Sequence, residues 1–149
     1  MSAIQLKMKI LFLCTGNSIR SQMAEGWARH LKGDEIEAYS AGIAPCYVHP
    51  CAIKVMAEVG IDISHHESKH AYSLRDIDFD YVVTLCGYAS EHCPIFPGET
   101  KMVHVPFDDP MLLAEEDDTE EEILSHFRRT RDEIRAFVEK LPRVLTEFA

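Results

Sequence analysis

A continuous apolar run that ends abruptly in turn-forming residues is the feature that most constrains this sequence. Lys9 to Cys14 has the composition of a strand covered on both faces, and Thr15 to Ser18 has the chemistry of a turn and a helix N-cap. From Ser21 onward, apolar residues recur at helical spacing as far as Gly33, which suits a helix C-terminus. The segment therefore predicts a strand, a tight loop and a helix.

The alternation of strands and helices continues to the end of the chain. The further predicted elements are a strand at 36–41, a helix at 50–60, a strand at 81–86, a short polar turn at 88–92, a strand at 101–105 and a closing helix at 123–141. Such alternation is typical of parallel sheets with right-handed crossovers, so we expect a three-layer α/β domain with a central four-stranded parallel sheet. Ligands bind beyond the carboxyl ends of such strands, where both Cys14 and Cys86 are expected.

The length and the cysteines indicate one self-supporting domain. The chain has 149 residues and contains no internal repeat, Gly/Ser linker or low-complexity tract, so we expect a single domain over residues 1–149. A core of this size needs neither disulfides nor a structural metal. The odd number of cysteines, five, is typical of a reduced cytoplasmic protein whose thiols are free for chemistry.

Charge and hydropathy argue against two classes of partner. Fifteen Lys plus Arg stand against 25 Asp plus Glu, and the formal net charge of -10 disfavours general binding to nucleic acid or to an anionic membrane surface. The sequence also lacks an apolar stretch of about 20 residues, the length that a transmembrane helix needs. An anionic ligand would therefore have to be captured locally.

The loop after the first strand has the chemistry of such a local anion site. A loop that enters a helix N-terminus points several backbone N–H groups at one spot, and the helix dipole adds partial positive charge there. Arg20 can bind two oxygens of one oxyanion, and Cys14 would lie beneath it, favoured as the nucleophilic thiolate. Taken alone, the two residues could also be a surface cation and a buried strand-end residue. The predicted anion-binding residues are Thr15, Gly16, Asn17, Ser18, Ile19, Arg20 and Ser21.

At these residues the sequence resembles the low-molecular-weight protein tyrosine phosphatase fold family, whose active loop reads Cys, five residues, Arg and then Ser. The resemblance extends to Tyr39–Gly42 after the second strand and to Asp109-Pro110 late in the chain. The family keeps a general-acid aspartate at the latter position, so the resemblance implies that role for Asp109. From the residues alone, 108–110 would be predicted as a turn.

Cys86 and Cys93 distinguish two kinds of chemistry on this fold. Hydrolysis of a cysteinyl-phosphate needs one thiol, whereas reduction of a bound oxyanion by two electrons needs a second thiolate that attacks the first sulfur. Cys86 could attack Cys14 and leave a disulfide, which Cys93 could then take over. Either cysteine alone is more simply explained as a small apolar residue.

Together with Cys14, the spacing of Cys86 and Cys93 resembles the thioredoxin-coupled arsenate reductases, which share the phosphatase fold. The segment after Pro110 also lacks the paired tyrosines that are common in tyrosine phosphatases of this fold. The resemblance implies arsenate as the substrate, no bound cofactor, and thioredoxin as the external reductant of a final disulfide between Cys86 and Cys93. The alternatives are a phosphatase that hydrolyses phosphate monoesters and a non-catalytic thiol sensor.

Some of these reductases bind potassium beside the loop, through residues that match Asn17, Glu25 and Ser40. Their further Thr and Asp ligands correspond here to Glu67 and Lys69. Because an ammonium can replace a monovalent cation in a carboxylate-rich pocket, we predict that Lys69 makes potassium unnecessary. A solvated Lys69 is the alternative.

The remaining cysteines and histidines have weaker signals. Cys46 and Cys51 flank His49, but their spacing is poor for zinc, so we expect no metal site there. By resemblance to the reductases, His66 is expected to hydrogen-bond near the anion loop. The acidic run at 115–122 is expected to be solvated and to begin the last helix.

Overall fold

The computed structural model describes residues 6–96 and 98–148, which fold around a parallel sheet of four strands. The strands are β1 (Met8–Cys14), β2 (Ile36–Gly42), β3 (Tyr81–Thr84) and β4 (Lys101–His104). Their order in the sheet is β2-β1-β3-β4, and all three pairings are parallel. This arrangement confirms the predicted α/β class with a central four-stranded parallel sheet.

Five α-helices accompany the strands in the described part of the chain. They are α1 (Arg20–Lys32), α2 (Pro50–Glu58), α3 (Gly87–His92), α4 (Pro110–Leu113) and α5 (Glu120–Val138). Two 3₁₀ segments, Ala71–Leu74 and Arg143–Phe148, lie before β3 and after α5. None of the helices found in residues 6–96 and 98–148 combines the length and the apolar composition that a membrane span requires.

The burial of β1 shows that both faces of the sheet are covered. Successive side chains of a strand point to opposite faces, yet Ile10, Leu11, Phe12 and Leu13 are all completely buried. On the helical side, α1 packs against β1, β2 and α5. The indole N–H of Trp27 donates to a backbone carbonyl of α5, at 3.1 Å. The sheet is therefore the middle one of three layers.

The structure differs from the sequence prediction after β3. The segment expected to be a polar turn, 88–92, is the short helix α3, in which the N–H of Ser90 donates to the carbonyl of Cys86 at 3.1 Å. Helical periodicity was absent from the sequence because Ala89 is the only residue of this helix that is buried. The strand prediction for 81–86 was also too long, since Cys86 has left the strand and serves as the N-cap of α3.

The last helix begins inside the acidic run, as predicted. Thr119 is its N-cap and forms a reciprocal capping box with Glu122, so side chains satisfy backbone donors that have no partner within the helix. Three glutamates occupy the first turn, where the helix dipole favours negative charge. The helix ends at Val138, before Pro142.

Candidate active site

The loop between β1 and α1 has a tightly fixed backbone. Asn17 adopts a left-handed conformation with φ of 48°, which few residues other than glycine and asparagine accept. The end of β2 lies directly against this loop. A Cβ atom at Gly42 would be 2.6 Å from the carbonyl oxygen of Thr15 and 2.7 Å from the backbone nitrogen of Asn17. The close approach of these two backbones therefore requires glycine at position 42.

Hydrogen bonds from Ser68 and Lys69, just before the 3₁₀ segment Ala71–Leu74, also hold the loop. The carboxamide of Asn17 accepts a hydrogen bond from the backbone N–H of Lys69 at 2.9 Å and donates one to the Ser21 hydroxyl at 2.8 Å. The Ser68 hydroxyl donates to the carbonyl oxygen of Gly16 at 2.8 Å. The loop conformation is thus imposed by residues more than 50 positions away along the chain.

The N-terminus of α1 is open to a cavity of about 580 Å³. Ile19 is the N-cap and provides no side-chain hydrogen bond, and the first intrahelical bond runs from the N–H of Met23 to its carbonyl. The N–H groups of a first helical turn lack intrahelical partners and favour anions. The loop residues Thr15, Gly16, Ser18, Ile19 and Arg20 line the cavity beside this terminus.

Cys14 lies at the base of this cavity, at the carboxyl end of β1. Its side chain is 2% exposed, and its Sγ is 2.9 Å from the hydroxyl oxygen of Ser21. That oxygen accepts a hydrogen bond from Asn17, which leaves the hydroxyl proton available for the sulfur. This arrangement can stabilise a thiolate at Cys14.

Arg20 and Asp109 both line the cavity and form an ion pair. One guanidinium nitrogen of Arg20 donates to the carbonyl oxygen of Phe107 at 3.0 Å, and another lies 3.7 Å from a carboxylate oxygen of Asp109. The other carboxylate oxygen of Asp109 accepts from the N–H of Met111 at 2.9 Å, as the N-cap of α4. Asp108 pairs instead with Arg129 at 3.7 Å. Of the two neighbouring aspartates, Asp109 is the one fixed beside Arg20.

Cys86 lines the same cavity as Cys14. It is 8% exposed, and its Sγ is 3.2 Å from the hydroxyl oxygen of Thr15, the residue after Cys14. The structure therefore brings together, around one cavity, eight of the residues predicted for chemistry or anion binding: Cys14, Thr15, Gly16, Ser18, Ile19, Arg20, Cys86 and Asp109.

Cys93 is not part of this cavity. It lies at the opposite end of α3 and lines a separate cavity of about 420 Å³, together with Thr84 and His104. Its thiol is 3.4 Å from the carbonyl oxygen of Pro94. Burial raises the pKa of Cys93 to about 11, so this thiol is protonated in the conformation described.

Glu25, on α1, is a buried carboxylate behind the anion loop. The Ser40 hydroxyl donates to it at 2.7 Å, Arg29 pairs with it at 3.3 Å, and the His66 ring lies 3.6 Å away. The ammonium of Lys69 donates to the carbonyl oxygen of Glu67 at 3.1 Å. In the described part of the chain, Lys69 thus forms no ion pair with this carboxylate, and Arg29 is the cation in contact with it.

Sequence reasoning did not identify Gln22, which links His66 to the loop. His66 Nδ1 is 2.9 Å from the side-chain oxygen of Gln22, and the amide of Gln22 donates to the Asn17 carbonyl at 3.1 Å. The expected hydrogen bond near the loop is therefore made through a glutamine. Burial is the main cause that lowers the pKa of His66, and the Glu25 carboxylate opposes it. A polar residue inside the buried face of α1 was the available signal.

The other two cysteines lie outside the cavity. Cys46 is exposed, with its Sγ 3.7 Å from the carbonyl oxygen of Gly16, and Cys51 is half-buried in the first turn of α2. In the described residues, the one cluster of three potential metal ligands is formed by Glu115, Asp117 and Asp118 on the surface, and it lies outside the cavity that Cys14 lines.

The sequence and the fold both match known proteins. Residues 9–148 match the family described as low molecular weight phosphotyrosine protein phosphatase. An arsenate reductase from Bacillus subtilis is 53% identical over 125 residues, which cover 84% of this chain and 88% of that protein. One from Halalkalibacterium halodurans is 51% identical over 128 residues, or 86% of this chain and 90% of the relative.

A solved structure described as an arsenate reductase in the phosphate binding state has a TM-score of 0.69. It is 32% identical and covers 95% of this chain and 99% of its own.

Proposed function

Because the chain belongs to the low molecular weight phosphotyrosine protein phosphatase family, we propose that it is an arsenate reductase that works through a relay of three cysteines. Its curated relatives named above are arsenate reductases. The observation that carries the proposal is that Cys86 lines the same cavity as Cys14, with its Sγ 3.2 Å from Oγ1 of Thr15, the residue after Cys14. A hydrolytic enzyme needs no second thiol in the cavity of its nucleophile, whereas a two-electron reductase does.

The first step binds arsenate and attaches it to Cys14. The N–H groups at the start of α1 and the guanidinium of Arg20 hold the oxyanion. The Cys14 thiolate attacks arsenic, a sulfur–arsenic bond forms, and one arsenic–oxygen bond breaks. Asp109, in its protonated form, gives its proton to the departing hydroxyl group, which leaves as water.

The second step reduces arsenic. The Cys86 thiolate attacks the sulfur of Cys14, so a disulfide forms and the electron pair of the sulfur–arsenic bond stays on arsenic. Arsenic(V) becomes arsenic(III), and arsenite leaves. The Thr15 hydroxyl beside Cys86 can donate a hydrogen bond to the attacking thiolate.

The third step returns Cys14 to the thiolate. Cys93 attacks the sulfur of Cys86, which gives a disulfide between Cys86 and Cys93 and releases Cys14. Because Cys93 lines a different cavity and its thiol is protonated there, this step requires α3 to open. The helix has six residues and one of them is buried, so little packing opposes its opening.

Thioredoxin is the proposed reductant of the final disulfide. A solved structure of a thioredoxin-dependent arsenate reductase from Corynebacterium glutamicum, 25% identical to this chain, has a TM-score of 0.58 over 89% of this chain and 62% of its own. Opening of α3 would bring the Cys86–Cys93 disulfide to the surface, where a second dithiol protein can attack it.

The deciding experiment measures NADPH consumption in the presence of thioredoxin and thioredoxin reductase, with and without arsenate. We expect consumption that depends on arsenate and is abolished by Cys14→Ser and by Cys86→Ser. Cys93→Ser is expected to release one equivalent of arsenite and to stop with Cys14 and Cys86 joined. Cys51→Ser is the matched control, since this half-buried thiol lies outside both cavities.

A phosphatase is the second candidate, because Cys14, Arg20 and Asp109 would suffice for hydrolysis through a cysteinyl-phosphate. Hydrolysis of an aryl phosphate is therefore measured in parallel. Fast hydrolysis without arsenate-dependent NADPH consumption would replace the reductase with the phosphatase. Sustained turnover by Cys93→Ser with thioredoxin would remove the third step.

A further inference from the structure

His49 lies at the edge of the anion cavity and has no role in the steps described above. It is half-buried, lines the cavity, and precedes α2 as its N-cap. Its backbone N–H donates to the carbonyl oxygen of Ser18 at 3.0 Å, which ties its position to the anion loop. The residue is therefore fixed relative to any anion that the loop binds.

The hydrogen bond at the start of α2 determines which ring nitrogen of His49 carries the proton. Nδ1 accepts a hydrogen bond from the N–H of Cys51 at 3.0 Å, so this nitrogen is unprotonated and the neutral ring carries its proton on Nε2. The ring stacks on Tyr47 with centroids 6.1 Å apart and contacts Phe127 at 5.0 Å. Two aromatic neighbours and the cap thus fix the ring orientation.

His49 and Asp109 line the same cavity. Within residues 6–96 and 98–148, no hydrogen bond or ion pair joins the imidazole to the carboxylate, although the carboxylate acts on the ring electrostatically. Burial lowers the pKa of His49, and the negative charge of Asp109 opposes this shift. A neutral N–H donor, that of His49, and the carboxyl group of Asp109 therefore line one cavity, where one oxygen of a bound anion could hydrogen-bond to both of them.

We propose that the Nε2–H of His49 donates a hydrogen bond to the oxygen of a bound tetrahedral oxyanion that faces Asp109. This inference rests on the proposed function and adds a substrate contact to it. When the arsenic–oxygen bond breaks, the electron pair moves onto this oxygen, Asp109 supplies the proton, and His49 keeps its own. A fixed donor at that position stabilises the charge that develops.

The test uses a substitution that keeps the cap of α2 and removes the imidazole. Asparagine is a preferred N-cap residue, so His49→Asn preserves an acceptor for the Cys51 N–H, while its shorter side chain has no N–H at the position of Nε2. His70→Asn is the matched control. The Nδ1 of His70 likewise accepts from a backbone N–H, that of Tyr72 at 3.0 Å, and its ring stacks on Tyr72, but it does not line the cavity.

The readout is anion binding, measured without turnover. Arsenate or inorganic phosphate is titrated against alkylation of Cys14 by iodoacetamide, and the modified peptide is quantified by mass spectrometry. We expect the concentration for half-protection to rise on the order of tenfold in His49→Asn, the scale of a lost hydrogen bond to a charged group. His70→Asn is expected to stay within about twofold of the wild type.

The outcomes separate this inference from the proposed function. Protection of His49→Asn equal to that of the wild type would overturn the inference. If the anion protects His49→Asn more weakly than the wild type, but the wild type shows no arsenate-dependent NADPH consumption, the His49 contact is supported and the reductase function is refuted. A wild-type chain that neither anion protects would overturn both. His49→Ser, a second capping residue without a ring, repeats the test below the melting temperature of both variants, and retained protection there would also refute the contact.

Discussion

Gly42→Ala is expected to damage the anion loop more than the fold. The added Cβ would lie 2.6 Å from the carbonyl oxygen of Thr15, whereas ordinary contact begins at 3.4 Å, so one backbone would have to move by about 0.8 Å. A shift of the Cβ towards Asn17 is also blocked, because the Cβ would lie 2.7 Å from the backbone nitrogen of that residue. Overpacking of this kind costs about 1–3 kcal/mol.

The displaced atoms belong to the loop that is proposed to bind the anion. A misplacement of about 1 Å in a reacting geometry can cost roughly a hundredfold in rate. We therefore expect Gly42→Ala to weaken anion protection of Cys14 by at least about tenfold. Urea unfolding measures the accompanying loss of stability, and iodoacetamide alkylation measures the protection.

Gly26→Ala is the control for Gly42→Ala. The three atoms nearest to its Cβ would be side-chain atoms of Ile61, Ile63 and Met56, at 3.0 to 3.3 Å, which shift more easily than backbone atoms. In the middle of α1 the change also gains roughly 0.5–1 kcal/mol of helix stability, which offsets the crowding. Its anion protection is expected to equal that of the wild type. Wild-type stability and protection in Gly42→Ala would refute the close approach of β2 to the loop.

Three further predictions concern stability, pH dependence and thiol reactivity. Thr119→Ala removes the capping box of α5 and is expected to lower the free energy of unfolding by about 1 kcal/mol in urea; an unchanged midpoint would contradict it. The hydrogen bond from Arg128 lowers the pKa of Glu58 in the folded state below its ordinary value of 4.5. The ionised Glu58 therefore stabilises the fold fully above pH 4.5, and this stabilisation is lost as the pH falls through the folded-state pKa. The stability difference between the wild type and Glu58→Gln should therefore shrink between pH 7 and pH 3, as measured by urea midpoints. Because burial raises the pKa of Cys93 to about 11, its alkylation at pH 8 should be at least about tenfold slower than that of exposed Cys46, and urea should abolish the difference.

The first strand, loop and helix could be predicted because each has a local signal. Ile10 to Cys14 is uniformly apolar, and it forms the part of β1 that is buried on both faces. Helix α1 shows apolar residues at helical spacing from Met23 onward. By contrast, α3 presents polar residues on nearly all sides and buries Ala89 alone, so its sequence is indistinguishable from a turn.

The contacts that hold the candidate site could not be predicted in this way, because they join distant parts of the chain. The loop itself is contiguous, but Lys69 and Ser68 fix it across 52 positions. The prediction that Lys69 takes the place of a cation depended on its matching position in relatives. The position of its side chain depends on which cation pairs with Glu25. In the structure Arg29 pairs with Glu25, and the Lys69 ammonium donates to the backbone carbonyl of Glu67 instead.

The meeting of two cysteines at one cavity follows from strand order more than from either motif. β1 and β3 are neighbours in the sheet although β2 lies between them in sequence, and their register pairs Leu13 with Thr84. Cys14 is therefore one residue beyond this pair, and Cys86 is two residues beyond it, at the same edge. A parallel sheet with this order brings the loops that follow β1 and β3 side by side. The segment after β4 reaches the same cavity through Asp109, so the strand order gathers at this edge the residues that follow β1, β3 and β4.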